Sequence, residues 1–214
     1  MIRMHPSLIA LAIAGFLGGC ANDGLATSDV VPVSYRAPLP QDALVSLPET
    51  AGTVVGISEK HYENGIEQTV ILAGDATTPG ENTLLVGMRK RRPENYGADR
   101  MLALKKPEQR DIVQELRQSF PGVTMHISGR IGANTYGHFG YASGTGKSGT
   151  QCFYAWQWID GRTGQGSLFG FDRLRQSQDL SLRVRMCRKD LTEDRFVTTL
   201  EALRLRDSLV RVGS

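Results

Sequence analysis

The sequence predicts a single α+β domain, a mostly antiparallel sheet with two packed helices, placed after a signal peptide and a proline-containing tether. Three observations carry this expectation. Short β-branched and aliphatic runs alternate with turn signals, two later stretches carry apolar residues at helical spacing, and residues 1–48 hold neither pattern for long.

The N-terminus reads as an address. Arg3 and His5 precede an apolar run over residues 8–17, and Leu17-Gly18-Gly19-Cys20 closes it. Ten residues rise about 15 Å as a helix, roughly half the hydrocarbon thickness, so this is an export signal and not a membrane span. Its ending resembles the bacterial lipoprotein signal, which implies cleavage before Cys20 and acylation of that cysteine. Each buried methylene then contributes about 0.8 kcal/mol to attachment. Ala21, not aspartate, follows Cys20, which in that lipoprotein class implies the periplasmic face of the outer membrane.

The expected division is a signal peptide over 1–19, a lipidated Cys20 with a flexible tether over 20–48, and a globular domain over 49–214. Pro32, Pro38, Pro40 and Pro48 stand among small and polar residues in the tether, a composition that favours an extended spacer.

Within the domain, residues 53–57, 68–73 and 83–88 read as strands of an antiparallel meander. Asn64-Gly65 and Thr78-Pro79-Gly80 supply the turns between them. Pro107 suits a first helical turn, Ile112, Val113, Leu116 and Phe120 fall on one helical face, and Pro121-Gly122 stops the helix. Val123, Met125 and Ile127 then alternate with Thr124, His126 and Ser128 as in a half-buried strand. Two long strands follow over 151–159 and 180–188, joined through Gly161, Gly164 and Gly166. Thr192 opens a last helix with Glu193 and Asp194 in its first turn and Phe196, Leu200 and Leu203 on a stripe.

Charge excludes one class of partner. The net charge is +3, and loss of Arg3 with the signal leaves +2, too weak a bias for nucleic acid, which an exported protein would not meet. Cys20 aside, Cys152 and Cys187 remain as a pair in an oxidising compartment, and a disulfide between them is expected.

Catalytic signatures are weak. Gly144-Thr145-Gly146-Lys147-Ser148 resembles the end of a phosphate-binding loop, but Tyr141 occupies the position of its first glycine and a strand follows where a helix is required. A hairpin loop is the better account. His61, His126 and His138 lack paired metal-ligand spacing, no Gly-x-Ser-x-Gly elbow is present, and no metal or other cofactor is expected. Glu59, Asp75, Asp160 and Asp172 are carboxylates that a glycosidase pair would need close together. The expectation is a protein that is not an enzyme.

Two groups suit contact with a partner. Arg89-Lys90-Arg91-Arg92 is a basic run fit for anionic head groups, an acidic wall polymer or a protein, and equally for a solvated strand end. The second follows from strand alternation: Cys152 shares a face with Tyr154, Trp156 and Trp158, and Cys187 shares one with Ser181, Arg183 and Arg185. A bridge between neighbouring strands puts both sets on one side and leaves Leu180, Leu182, Val184 and Met186 for the core. Tyr154, Trp156, Trp158, Arg183 and Arg185 then suit a glycan or an aromatic partner, or else a covering helix with the arginines at its rim.

Several stretches resemble one family. Thr78-Pro79-Gly80-Glu81-Asn82, Phe120-Pro121-Gly122-Val123, Tyr136-Gly137-His138-Phe139-Gly140-Tyr141-Ala142, Cys152-Phe153-Tyr154-Ala155-Trp156-Gln157 and Arg185-Met186-Cys187 are similar to the cellulose biosynthesis protein BcsN family of alphaproteobacterial lipoproteins. The resemblance implies a non-catalytic accessory role in the periplasm in making, exporting or anchoring an exopolysaccharide of biofilms. Its partners would be cellulose synthase or export components, with cellulose or another glycan as a further contact and the membrane reached by the lipid anchor. A pilus or secretin lipoprotein shares the signal, tether and small domain, and a cell-wall glycan hydrolase would need the close carboxylate pair.

Overall fold

The computed structural model describes residues 32–74, 82–90, 100–146, 149–160, 172–174, 178–206 and 209–212. Outside them lie the signal peptide, Cys20, the tether to residue 31, the Thr78-Pro79-Gly80 turn, Arg91 and Arg92, Lys147 and Ser148, and Gly161, Gly164 and Gly166.

The strands in chain order are β1 (Ser34–Arg36), β2 (Val45–Ser46), β3 (Val54–Tyr62), β4 (Gly65–Leu72), β5 (Asn82–Lys90), β6 (His126–Ile127), β7 (Gly132–Asn134), β8 (Gly137–Thr145), β9 (Gln151–Asp160), β10 (Asp172–Leu174), β11 (Gln178–Arg188), β12 (Arg204–Leu205) and β13 (Val210–Val212). Helix α1 spans Gln109–Ser119 and α2 spans Glu193–Glu201. One sheet runs β1-β3-β4-β5-β11-β9-β8-β6, with β7 also on β8, and two small ladders pair β10 with β13 and β2 with β12. Every pairing among the described residues is antiparallel. This is the expected α+β architecture.

The sheet is covered on both faces, because alternate residues of its central strands are apolar on one side and mixed on the other. On one face Leu180, Leu182, Val184 and Met186 join Leu84, Val86, Phe153 and Ala155 in the main core, which Phe196 and Leu200 of α2 close. Phe153 and Phe196 stack with ring centroids 4.9 Å apart. On the other face Ile112, Leu116 and Phe120 of α1 pack on Ala142, Cys152, Tyr154 and Cys187.

Local chemistry accounts for the helix ends. Asp111 Oδ2 accepts from the backbone N–H of Glu108 at 3.0 Å, so Glu108 caps α1 and Pro107 stands just before the cap. Gly122 ends the excursion at φ +81°. Thr192 Oγ1 accepts from Arg195 N at 3.3 Å at the start of α2.

Two expectations are corrected. The packed domain begins before residue 49: β1 pairs with β3, Leu44 and Val45 are buried, and Gln68 Oε1 accepts from Leu44 N at 2.7 Å. Strands of three and two residues between prolines are too short to show a period. The strand expected over 123–128 is reduced to His126–Ile127, both exposed, while Val123 and Met125 pack beside α1. The turn signalled by Asn64-Gly65 is present at Glu63-Asn64, but Gly65 itself opens β4 and serves close approach, since a Cβ there would lie 2.2 Å from Met88 O.

Candidate functional site

Strand alternation places the contact residues together. Cys152 opposes Cys187, Tyr154 opposes Arg185, Trp156 opposes Arg183 and Trp158 opposes Ser181 across β9 and β11. The Cys152–Cys187 disulfide is formed and buried under α1.

Helix α1 divides this set. Arg183 donates from Nε to Glu115 Oε2 at 2.6 Å and from Nη2 to Glu115 Oε1 at 3.1 Å, while its Nη1 donates to Ser181 Oγ at 2.9 Å and Leu182 O at 3.0 Å. Tyr154 Oη donates to the same Glu115 carboxylate at 2.7 Å. Burial, and then the Glu115 charge, push the Tyr154 phenol well above its ordinary value. Tyr154 and Arg183 are therefore buried groups that fasten α1 to the sheet, and neither presents an open surface.

Arg185 is half-buried. Its Nε donates to Ser119 O at 3.1 Å, and its guanidinium stands 4.9 Å from the Phe120 ring centroid. The aromatic file continues outward, with Phe120 edge-on to Tyr154 at 5.9 Å and Tyr154 tilted against Trp156 at 6.4 Å. Trp158 packs partly against Tyr62, Leu102 and Leu104. Trp156 lies across Gly140: a Cβ at Gly140 would stand 2.5 Å from the indole Cε2 and Cζ2. Beside α1 a polar cavity of about 60 Å³ is lined by Lys105, Asp111, Glu115, Ser181 and Arg183, room for about two waters.

The basic run is partly committed. Arg89 Nη2 meets the buried Asp179 Oδ2 at 2.8 Å, whereas Lys90 is exposed and held through its backbone N–H on Asn64 O at 2.8 Å. Val33 N donates to His61 O at 2.7 Å and Glu63 N to Arg100 O at 3.1 Å. The entry of the N-terminal segment and the root of the basic run thus share one end of the sheet.

Of the carboxylates singled out in the sequence, Glu59 contacts His61 and accepts from Gln68 Nε2 at 2.9 Å, while Gln68 holds the Leu44 segment. Asp160 ends β9, and Asp75 and the Asp172 side chain lie outside the described residues. His126 and His138 are exposed on β6 and β8. Among the described residues, no group of three or more His, Cys, Asp or Glu is placed to hold a metal ion, and no helix is long and apolar enough to cross a membrane.

Sequence reasoning missed Glu115 and Gly140. Glu115 follows Asp111 at i+4 beside the apolar stripe of Ile112 and Leu116, a spacing that aims both at the border of the buried face. Gly140 sits between Phe139 and Tyr141, and its signal is the missing side chain that the neighbouring strand's indole fills.

A family model described as cellulose biosynthesis protein BcsN matches residues 45–214. No curated protein and no solved structure matches.

Proposed function

The chain belongs to the BcsN family of cellulose biosynthesis proteins, and from that premise we propose that it is a non-catalytic accessory lipoprotein acting in the periplasm by contact. Its attachment is Cys20, acylated after export and fixed to the periplasmic face of the outer membrane. Its partners are components of the cellulose synthesis and export machinery. Pairing of Cys152 with Cys187 accords with an oxidising compartment.

One observation carries the contact reading. On the α1-covered face Glu115 pairs with Arg183 and accepts from Tyr154, and Arg185 is held on Ser119 O, whereas large apolar side chains stand exposed toward both edges of the sheet. Val33 and Tyr35 occupy one edge, Ile127 and Ile131 the other. Exposed apolar groups at sheet borders suit docking.

The test is cellulose output in a strain lacking the protein, complemented with wild type or with Cys20→Ala, alongside membrane fractionation. Lost output restored by wild type supports the accessory role. Unchanged output overturns it, and a Cys20→Ala chain that still fractionates with the outer membrane overturns lipid attachment.

A further inference from the structure

The β6–β8 edge of the sheet carries a strip that α1 does not cover. Ile127 opposes Ala142 and Ala133 opposes His138. Ala142 and the Gly140–Trp156 pair belong to the disulfide side of the sheet, so by alternation His138 and both edge residues do too. Ile127 is 38% exposed, Ile131 just before β7 is 71% exposed, and Ala133 and His138 are exposed. Trp156 completes the strip, half-buried and supported from behind by Tyr154. From Ala142 to His138 the strip runs about 13 Å along β8.

We propose that this strip, formed by Ile127, Ile131, Ala133, His138, Gly140 and Trp156, binds a neutral β-linked glucan chain, with a sugar ring stacked on the Trp156 indole. The inference rests on the reading that the protein acts by contact within cellulose biosynthesis, and names the polymer as what one edge contacts.

Three features select that occupant. None of the six residues is an aspartate, glutamate, lysine or arginine, so the strip matches an uncharged polymer better than an anionic lipid or acidic wall polymer. The indole lies over glycine, which removes the side chain that would hold it off the sheet, and its partly exposed ring offers the flat apolar surface that the C–H face of a pyranose needs. His138 stands exposed at the rim, where a ring nitrogen can hydrogen-bond a hydroxyl.

The experiment uses the mature chain from residue 20 with Cys20→Ala, free of acyl groups, and cellohexaose as probe. The protein holds two tryptophans, Trp156 and Trp158, so intrinsic fluorescence reports on the strip. Cellohexaose is expected to shift the emission saturably and to protect Trp156 from oxidation. Ile131→Glu, an exposed substitution that spares the core, is expected to weaken binding about fivefold or more, and His138→Ala to weaken it less. The inference is overturned by absence of any shift, by retention on insoluble cellulose undiminished in Ile131→Glu, or by equal binding of an anionic polysaccharide. It is also overturned if Ile131→Glu abolishes cellulose output while the wild-type chain ignores cellohexaose, because the strip then docks a protein. In that last case the accessory role stands. Unchanged output in the deletion strain beside firm cellohexaose binding would instead sink the accessory role alone.

Discussion

Arg183 on β11 and Glu115 on α1, 68 residues apart, meet through two parallel hydrogen bonds of 2.6 and 3.1 Å. The Arg183 side chain is 6% exposed and that of Glu115 28%, so the pair sits at the margin of the buried face. Glu115 receives Tyr154 as well, and the three groups fix the height and rotation of α1.

Removing one partner strands the other. Glu115→Ala leaves a guanidinium in a buried site and is expected to cost about 3 kcal/mol, the low end for a broken buried pair because Glu115 itself reaches solvent. Replacing both, as Glu115→Leu with Arg183→Met, is expected to cost less than the single change, since neither charge is then left unpaired. Urea unfolding midpoints of the three variants check this. A double variant less stable than Glu115→Ala would assign the pair a net stabilising role that the desolvation argument denies.

The buried bridge gives a second expectation. Cys152 and Cys187 are 35 residues apart in sequence, and closing such a loop in the unfolded chain contributes about 3 to 4 kcal/mol on the entropy model. Cys187→Ser is expected to lower stability by up to that amount and to free one alkylatable thiol at Cys152. Mass spectrometry of the alkylated native wild type reads the pair directly: labelling of both cysteines without reductant is the contrary result.

How much of this was legible follows from where the information lies. Leu180, Leu182, Val184 and Met186 against Ser181, Arg183, Arg185 and Cys187 is a period of two within one strand, and the core face, the shared disulfide face and the capped start of α2 at Thr192 are all local patterns. Strand β8 has no such signal, because Gly137, Gly140 and Gly144 dilute it. What makes it a strand is supplied from elsewhere: the Trp156 ring fills the space above Gly140, and Met125 that above Gly144. Glu115 was invisible for the same reason, since its partners are on other elements.

Stability is expected to fall on the alkaline side. Tyr62, Tyr141 and Tyr154 are each held above the ordinary phenol value, in every case chiefly by burial. A raised folded value means the contribution is complete below about pH 10, where unfolded tyrosine begins to ionise, and is lost as pH climbs toward the folded values. Urea midpoints between pH 8 and 11 should decline above about pH 10, and less steeply in Tyr154→Phe. On the acid side Asp111, lowered by the Glu108 backbone N–H and Lys105, and Asp190, lowered by Arg188, add stability present above pH 3.8 and lost below it. Asp190 is open to solvent and Asp111 stands at the surface end of α1 beside the exposed Lys105, so that effect is small.

Gly140 tests the placement of Trp156 without touching the indole. An added Cβ would stand 2.5 Å from Cε2 and Cζ2 and 2.7 Å from Nε1, closer than non-bonded atoms approach, and a ring braced by Tyr154 cannot simply swing aside. Gly140→Ala is therefore expected to cost about 1 to 3 kcal/mol, as overpacking does, and to shift the Trp156 emission in a Trp158→Phe background. Gly129→Ala is the matched control, because a Cβ there meets nothing within 4 Å. Equal stability and unchanged emission in the two variants would mean the indole does not lie over β8. A selective loss in Gly140→Ala, accompanied by weaker cellohexaose binding, ties the flat seat of Trp156 to the contact the sheet edge makes.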